Sequence, residues 1–373
     1  MSWPVVLASG GPRERGRLYG AAAATRIGRS LELYEEVFRR YAGLSWADVR
    51  AHAEAFVEPI DAYDVALLPE IEGIAEGAAE EAEDILTLNL RTEIMFGLDV
   101  GRDAAIGCTA LGVAGVPGGP IVAQNWDWKP AVRETCVVLA CAPHGRPAFV
   151  TVVEAGLVAK FGLNERGLAV ATNALNSSRD RGAAGVPYHA ILRRILTSET
   201  IDEAIGAVLD GPRASSANYL LGSADGRLVD LEVTPGGRDD AHVREEGRLV
   251  HTNHFTWPAP RPFKDVGALD GDGSARRYAV AEAGLAAETA TAASIEEVLR
   301  DHANRPASVC AHDDDAVDPI EDYVTIASFV AALGAGTTWI TDGSPCERPF
   351  EPIDAAGLID RARTTAASEV PTR

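Results

Sequence analysis

A glycine–cysteine pair in the first third of the chain carries the most specific chemistry. Cys108 follows Gly107 in the run Ile106-Gly107-Cys108-Thr109-Ala110. Cutting the Gly107–Cys108 bond would leave Cys108 as an N-terminal residue with both a thiol and an α-amine. An α-amine of pKa about 7.7–8.0 beside a thiol of pKa about 8.5 is matched to proton transfer near neutral pH. We therefore expect the chain to cut itself at this bond and to use Cys108 as its nucleophile.

The residues that follow Cys108 predict a β-hairpin. Strands over residues 108–114 and 121–128 flank the turn-forming run Pro117-Gly118-Gly119. Two turn centres are possible, and each leaves a two-residue loop. One register pairs Cys108 with Asp127, and the other shifts that pairing by two residues.

Both registers place the same side chains on one face of the hairpin. Because side chains alternate along a strand, Cys108, Asn125 and Asp127 share a face in either register, and Trp126 and Trp128 point away. An odd-numbered loop would put Cys108 and Asp127 on opposite faces. The alternative interpretation of Cys108 is a buried cysteine in an ordinary strand.

Composition places the chain among soluble globular proteins. It has 373 residues, of which 46% are hydrophobic and 24% charged. The net charge of −21 argues against nucleic acid or an anionic membrane surface as a partner. The N-terminus lacks a basic region before its apolar run, and no apolar stretch approaches about 18 residues. We therefore expect a cytoplasmic protein, and the preference for Arg over Lys together with the abundant Ala suggests a bacterial source.

The five cysteines form no recognisable framework. Their number is odd and no C-x-x-C spacing occurs, which fits neither a set of disulfides nor a zinc site. We read Cys310 as a core residue and Cys346, in Gly343-Ser344-Pro345-Cys346, as part of a turn. No phosphate-binding loop is evident either. The expectation is therefore no metal and no organic cofactor.

Hydrophobic periodicity predicts helices and strands in alternating blocks. The first 105 or so residues are mainly helical, with helices to about residue 41, over 46–56 and 59–80, and from Asp84 onward. Strands follow to about residue 174, then helices over 187–197 and 200–209, three strands to residue 255, two helices, and two final strands. This order predicts an α+β fold with two antiparallel sheets between helical layers.

Motifs along nearly the whole chain resemble one family. They are Gly11-Pro12-Arg13-Glu14-Arg15-Gly16, Leu68-Pro69-Glu70-Ile71-Glu72-Gly73, Leu88-Asn89-Leu90-Arg91-Thr92-Glu93, Gly107-Cys108-Thr109, Gln124-Asn125-Trp126-Asp127-Trp128, Asn164-Glu165-Arg166-Gly167, Thr252-Asn253-His254-Phe255 and Gly343-Ser344-Pro345-Cys346-Glu347. In this order they resemble the acyl-coenzyme A:6-aminopenicillanic acid acyltransferase family, the self-processing cysteine members of the N-terminal-nucleophile hydrolases. Each motif alone would be a weak signal.

The resemblance implies a fold, a maturation step and three site residues. It implies a four-layer αββα sandwich, cut into an α chain of residues 1–107 and a β chain of residues 108–373 that remain one folding unit. Cys108 matches the family's nucleophile, Asp127 a carboxylate of its site, and Asn253 the asparagine of its oxyanion hole. An Asn amide can supply the donor that a tetrahedral intermediate needs.

Four further residues are candidates for the oxyanion hole or for substrate binding. They are Asn173, Asn125, Thr109 and His251. Asn173 ends a predicted strand, and capping of a turn explains it equally well. Thr109 could assist self-cleavage or simply be small, and His251 shares a face with Asn253 but could be structural.

The expected reaction is amide or thioester cleavage through an acyl-Cys108 intermediate. The acyl group of a small N-acyl or acyl-thioester substrate passes to water or to an amine, and the sequence leaves hydrolysis and transfer open. At Cys310-Ala311-His312 the chain lacks the arginine of the penicillin-forming enzyme, which makes 6-aminopenicillanic acid a doubtful substrate. The alternative from another class is a catalytically inactive binding module on the same fold.

Overall fold

The computed structural model describes residues 2–97, 107–267, 273–285, 290–312, 318, 320 and 322–368. Its described part contains two β-sheets stacked face to face with helices on their outer sides. The helices are α1 (Pro12–Ala42), α2 (Trp46–Ala53), α3 (Val57–Tyr63), α4 (Leu67–Ala78), α5 (Ala82–Asn89), α6 (Arg91–Gly97), α7 (Tyr188–Leu196), α8 (Ile201–Leu209), α9 (Gly273–Leu285), α10 (Ala292–Leu299) and α11 (Ala355–Ser368).

Fourteen strands are present in the described residues. They are β1 (Val5–Gly10), β2 (Cys108–Val113), β3 (Ile121–Trp128), β4 (Cys136–Pro143), β5 (Phe149–Glu154), β6 (Gly162–Asn164), β7 (Leu168–Ala174), β8 (Ala217–Ser223), β9 (Leu228–Val233), β10 (Ala241–Glu245), β11 (Arg248–His251), β12 (Val324–Ala332), β13 (Thr337–Thr341) and β14 (Glu351–Ile353). The mainly helical N-terminal block and the change to strands after it are as the periodicity predicts.

The strands form an eight-stranded and a six-stranded sheet. The first has the order β1-β4-β5-β6-β7-β8-β9-β10, and the second has the order β11-β2-β3-β12-β13-β14. Strands β2 and β3 contact β7 and β8 across the interface between the sheets. Helices α1 and α11 cover the eight-stranded sheet, whereas α9 and α10 cover the other. The expected four-layer αββα sandwich is confirmed, with one departure from antiparallel pairing, since β1 runs parallel to β4.

Close packing of α1 against α4 explains two of the glycine-containing motifs. A Cβ atom on Gly16 would lie 2.2 Å from the Glu70 carbonyl oxygen, and one on Gly73 would lie 2.2 Å from that of Arg13. Only glycine permits this approach of two helix backbones. A buried ion pair reinforces the contact, with an Arg15 nitrogen 2.6 Å from the Glu70 carboxylate.

Several elements differ from the prediction. The helix predicted over 59–80 is two helices, because Asp64 adopts an extended backbone (φ −153°, ψ 104°) and its carboxylate accepts from the Ala66 N–H. The helix predicted from Asp84 onward is also two helices, α5 and α6. The predicted strand 248–255 ends at His251, and the predicted strand 157–163 is reduced to β6. Strands β10 and β14 and helix α11 have no counterpart in the prediction. Among the described residues, no helix is long and apolar enough to cross a bilayer.

Candidate active site

The hairpin that carries Cys108 has a different register from either predicted one. Cys108 pairs with Trp126, so residues 114–120 form a seven-residue connection. Both ends of the connection bind distant segments next to other strands: the Ala114 N–H donates to the Gly247 carbonyl, and the Pro120 carbonyl accepts from the Leu333 N–H. The predicted two-residue loop is therefore wrong.

This register also reverses the predicted faces. Directly paired residues share a face, so Cys108 lies with Trp126 and Trp128, and Asn125 and Asp127 lie on the other side of the sheet. Asp127 nevertheless reaches the Gly107–Cys108 bond, because it lies opposite Gly107 at the end of the strand pair. Ile106, the residue before Gly107, is outside the described residues.

Hydrogen bonds hold both sides of the Gly107–Cys108 peptide bond. The Asp127 backbone N–H donates to the Gly107 carbonyl oxygen at 3.0 Å. The Cys108 N–H donates to Asn253 Oδ1 at 2.8 Å, and the Cys108 carbonyl accepts from Arg277 at 2.7 Å. The bond is thus fixed between β3, the segment after β11, and α9.

The Asp127 carboxylate is only half satisfied. Its Oδ1 accepts a 2.6 Å hydrogen bond from Thr325 Oγ1. Its Oδ2 is buried and has no hydrogen-bond partner among the described residues. Burial raises the pKa of Asp127 to about 6, against the opposing effects of the Arg277 charge and the Thr325 hydrogen bond. A carboxylate with a free oxygen and a pKa near neutrality is suited to accepting a proton.

The Cys108 thiol is buried and hard to ionise in the uncut chain. Only 6% of the residue is exposed. Burial, and then the negative charge of Asp127, raise its pKa to about 11, whereas Lys160, the Asp127 N–H and Arg277 lower it. The balance of these charges therefore controls how much thiolate is available.

Lys160 is a site residue that the sequence analysis missed. Its ammonium lies 4.2 Å from the centre of the Trp126 ring, on the face that Trp126 shares with Cys108. Burial, followed by the nearby Arg91 charge, lowers the pKa of Lys160 to about 8. A signal was available, since Lys160 is one of only three lysines and interrupts the apolar run Leu157-Val158-Ala159-Lys160-Phe161.

Arg277 was also missed, and no sequence motif marks it. Its guanidinium donates three hydrogen bonds: to the Cys108 carbonyl at 2.7 Å, to Asn253 Oδ1 at 3.1 Å and to Thr109 Oγ1 at 3.4 Å. The Thr109 side chain therefore lies beside the Cys108 carbonyl and is bound by the same guanidinium. This cation is positioned to stabilise negative charge that develops near Cys108.

Asn253 presents its amide oxygen, not its nitrogen, to Cys108. Its Nδ2 donates to the Ala174 carbonyl at 3.0 Å. Its backbone N–H donates to Ser274 Oγ at 2.8 Å, which fixes the residue against the start of α9. In this state Asn253 acts as an acceptor for the Cys108 nitrogen.

The other three candidates have internal partners. Asn125 donates to the carbonyls of Leu299 and Val309 at 2.8 and 2.9 Å, so it anchors the segment after α10. Asn173 donates to the His251 carbonyl at 3.4 Å.

His251 itself is buried between the sheets. Its Nε2 lies 2.8 Å from Glu232, and its Nδ1 lies 2.7 Å from the Thr252 carbonyl. Although burial lowers the pKa of His251, the carboxylates of Asp230 and Glu232 raise it above the ordinary value. With both ring nitrogens engaged, His251 faces Glu232 of the other sheet and not Cys108.

The fold is a four-layer αββα sandwich, and Cys108 is the first residue of strand β2 in its six-stranded sheet. The profile of the family described as acyl-coenzyme A:6-aminopenicillanic acid acyl-transferase matches residues 116–347. The 40 kDa form of acyl-coenzyme A:6-aminopenicillanic-acid-acyltransferase from Emericella nidulans is 30% identical over 306 residues, which cover 82% of this chain and 84% of that protein. The chain therefore belongs to this acyltransferase family, as the motifs predict.

Two solved structures are more distantly similar. A mutant of conjugated bile acid hydrolase from Clostridium perfringens is 14% identical, with a TM-score of 0.44, over 67% of this chain and 94% of that one. Penicillin V acylase from Agrobacterium tumefaciens is also 14% identical, with a TM-score of 0.38, over 63% of this chain and 82% of that one.

Proposed function

We propose that the chain is a precursor that cuts its own Gly107–Cys108 bond and then acts as a cysteine amidohydrolase or acyltransferase. The two products would be an α chain of residues 1–107 and a β chain of residues 108–373, held together by the core they share. The observation that carries the proposal is the pair of hydrogen bonds from Asp127 to the Gly107 carbonyl and from Cys108 to Asn253. They hold the electrophile and the leaving nitrogen of one peptide bond.

Self-cleavage begins with loss of the thiol proton. We assign this proton to Asp127 Oδ2, a buried carboxylate oxygen without a hydrogen-bond partner among the described residues and with a pKa of about 6. The Cys108 sulfur then attacks the Gly107 carbonyl carbon, and the Asp127 N–H stays bonded to the oxygen as negative charge develops there. The C–N bond breaks and the Cys108 nitrogen takes up a proton, which leaves a thioester between Gly107 and the Cys108 sulfur. Water hydrolyses this thioester to release the Gly107 carboxylate and the free thiol.

The freed α-amine replaces the carboxylate as the base during turnover. Asn253 Oδ1, which accepts from the Cys108 N–H in the uncut chain, would hold the amine in place. The amine takes the thiol proton, the sulfur attacks the substrate carbonyl, and an acyl-Cys108 forms as the amine or thiol of the substrate departs. For Asn253 to act in the oxyanion hole as well, its Nδ2 must leave the Ala174 carbonyl.

The substrate we propose is a small N-acyl amide or acyl thioester. Family membership supports acyl-group chemistry, and the relative from Emericella nidulans is named for acyl-coenzyme A and 6-aminopenicillanic acid. Ala311 offers no cation to a substrate carboxylate, and its N–H is bound to Thr325 Oγ1 at 2.9 Å. Adding a free amine to a reaction with an N-acyl amide would separate the two outcomes, since transfer yields a new amide and hydrolysis a free acid.

Intact-mass spectrometry of the purified protein tests the proposal. The wild-type chain should give two masses whose boundary lies between residues 107 and 108. Cys108→Ala should remain one chain of 39.3 kDa. Cys141→Ala, which removes a buried thiol from β4 in the other sheet, is the matched control and should still be cut. Cleavage of Cys108→Ala at this bond, or a failure of the cut β chain to react with an acylating probe, would overturn the proposal.

A further inference from the structure

A cluster of two cysteines and two histidines lies outside the candidate active site. His302, Cys310 and His312 come from the segment after α10, and Cys346 comes from the turn after β13. Each presents one ligand atom, and the four atoms all lie within 4.8 Å of one another. We propose that these four side chains bind one Zn²⁺ ion in a tetrahedral site of two thiolates and two imidazoles.

Four of the six distances between the ligand atoms lie within about 0.4 Å of those of a tetrahedral zinc site. Zinc–sulfur bonds of about 2.3 Å and zinc–nitrogen bonds of about 2.0–2.1 Å imply ligand separations of about 3.8 Å for S–S, 3.6 Å for S–N and 3.3 Å for N–N. The Cys310 and Cys346 sulfurs are 3.7 Å apart. His312 Nε2 lies 3.5 Å from the Cys310 sulfur, 3.2 Å from the Cys346 sulfur and 3.0 Å from His302 Nε2.

The second nitrogen of His312 has the partner expected of a metal-bound imidazole. Its Nδ1 lies 3.3 Å from the Glu347 carboxylate. Histidines that bind metals commonly donate their other N–H to a carboxylate, which fixes the ring and raises its basicity. This contact leaves Nε2 of His312 facing the two sulfurs and His302.

The donor set favours zinc over the other common divalent ions. Two thiolates and two imidazoles are typical of structural Zn²⁺ sites, whereas Mg²⁺ and Ca²⁺ prefer oxygen ligands. With all four positions filled by protein, the site is closed and structural. Both thiols release their protons to solvent when the ion binds, since the thiolate is the ligand.

The cluster is coupled to the candidate active site through Ala311. This residue lies between two ligands, and its N–H donates to Thr325 Oγ1 at 2.9 Å. Thr325 in turn donates to Asp127 Oδ1 at 2.6 Å. A metal that ties residues 302–312 to Cys346 would therefore stabilise the loop that supports the Asp127 carboxylate.

Metal analysis of the untagged full-length protein tests the site. Protein loaded with Zn²⁺ under reducing conditions and desalted should retain about one ion per chain, as expected for a single four-coordinate site. Protein loaded with Co²⁺ should show the intense visible bands of tetrahedral cobalt and a sulfur-to-cobalt charge-transfer band. Cys346→Ser removes the most exposed ligand and should abolish both signals. Glu347→Ala keeps all four ligands and should weaken zinc affinity about tenfold or more.

Matched controls separate this site from the proposed nucleophile. Cys108→Ala and His144→Ala, which remove a thiol and an exposed imidazole outside the cluster, should keep the full complement of metal. The proposal is overturned if the protein retains no zinc, or if Cys346→Ser retains as much zinc as the wild type. It is also overturned if metal-free protein holds a Cys310–Cys346 disulfide that treatment with reductant and zinc does not convert to the zinc-bound form. These outcomes are measured as metal content, so they are distinguishable from the outcome of the cleavage experiment at residue 107.

Discussion

The Asp127 carboxylate occupies the space that a side chain at position 107 would need. A Cβ atom on Gly107 would lie 2.5 Å from Asp127 Oδ2 and 3.1 Å from Asp127 Cβ. The carboxylate cannot easily move away, because it is buried and Thr325 holds its other oxygen at 2.6 Å. Glycine at this position therefore admits the carboxylate to the bond that we propose is cut.

Replacing Gly107 with alanine should block self-cleavage. The new methyl group must displace the Asp127 carboxylate, the Gly107 carbonyl, or both, and either shift breaks the alignment of base and bond. We expect uncut chain to accumulate, with cleavage slowed by about 100-fold, on the order expected for the loss of a positioned base. Denaturing gels over a time course after refolding would measure the rate.

Gly247→Ala is the matched control for this substitution. Gly247 is exposed, and no atom lies within 4 Å of the position its Cβ would take. This variant should be cut at the wild-type rate. Cleavage of Gly107→Ala at that same rate would show that the contact with Asp127 does not matter for the reaction.

The layers of the fold and the position of the strand that begins at Cys108 were predictable from the sequence, whereas the arrangement of side chains around Cys108 was not. Periodicity and turn residues define local elements, so the four layers and the strand beginning at Cys108 were predictable. The hairpin register was not, because the ends of its connection pair with Gly247 and Leu333, more than 100 residues away. The predicted register reverses the faces, so it places Trp126 on the side of the hairpin away from Cys108, whereas the two residues are directly paired.

Groups that reach a site from distant segments were missed for the same reason. Arg277 contacts Cys108 from a helix 169 positions later, and no local pattern distinguishes it from other arginines. The four proposed zinc ligands also lack the short paired spacings by which zinc sites are read from sequence, since Cys346 follows Cys310 by 36 positions. Folding, not spacing, brings them together.

Asp127→Asn should slow self-cleavage, and the cleavage rate of the variant should no longer change with pH in the mildly acidic range. If the carboxylate accepts the thiol proton, the wild-type rate should rise as Asp127 ionises and level off above its pKa of about 6. The amide keeps the size of the side chain but cannot accept the proton, so the rate should fall by about 100-fold or more. Time courses between about pH 4.5 and about pH 8, which bracket this pKa, would give both profiles. An unchanged profile in the variant would assign the base to another group.

The same substitution should stabilise the fold at neutral pH. The folded pKa of Asp127 is raised from 3.8 to about 6, so between these values the folded state binds more protons than the unfolded state. The free energy of unfolding of the wild type therefore falls as pH rises through this window, and above about pH 6 the whole of this decrease has occurred. Asn does not titrate, so the variant avoids the cost of ionising a buried Asp127. A pKa shift of roughly two units corresponds to a cost of up to about 3 kcal/mol.

Urea unfolding of Cys108→Ala with and without Asp127→Asn measures this effect on chains that we expect to stay uncut. The stability advantage of the amide should be small near the unperturbed pKa of 3.8 and largest above pH 6, the pKa to which burial raises Asp127. If Asp127→Asn stabilises the Cys108→Ala chain and also slows cleavage when introduced alone, misfolding is excluded as the reason for the lost cleavage. An advantage that is constant with pH would mean that Asp127 does not titrate in this window.

Lys160→Met should make the Cys108 thiol harder to ionise. The Lys160 charge opposes the burial and the Asp127 charge that raise the pKa of Cys108 to about 11. Removing it should lower the plateau rate of self-cleavage near pH 7 by about tenfold, the equivalent of one pKa unit, because the thiol then gives up its proton less readily. Because burial disfavours the lysine charge, the apolar replacement should not destabilise the fold, and thermal unfolding would confirm this. Lys264→Met, which changes an exposed lysine, should behave as wild type. Equal cleavage rates for Lys160→Met and Lys264→Met across the pH range would show that the buried ammonium has no part in activating the thiol.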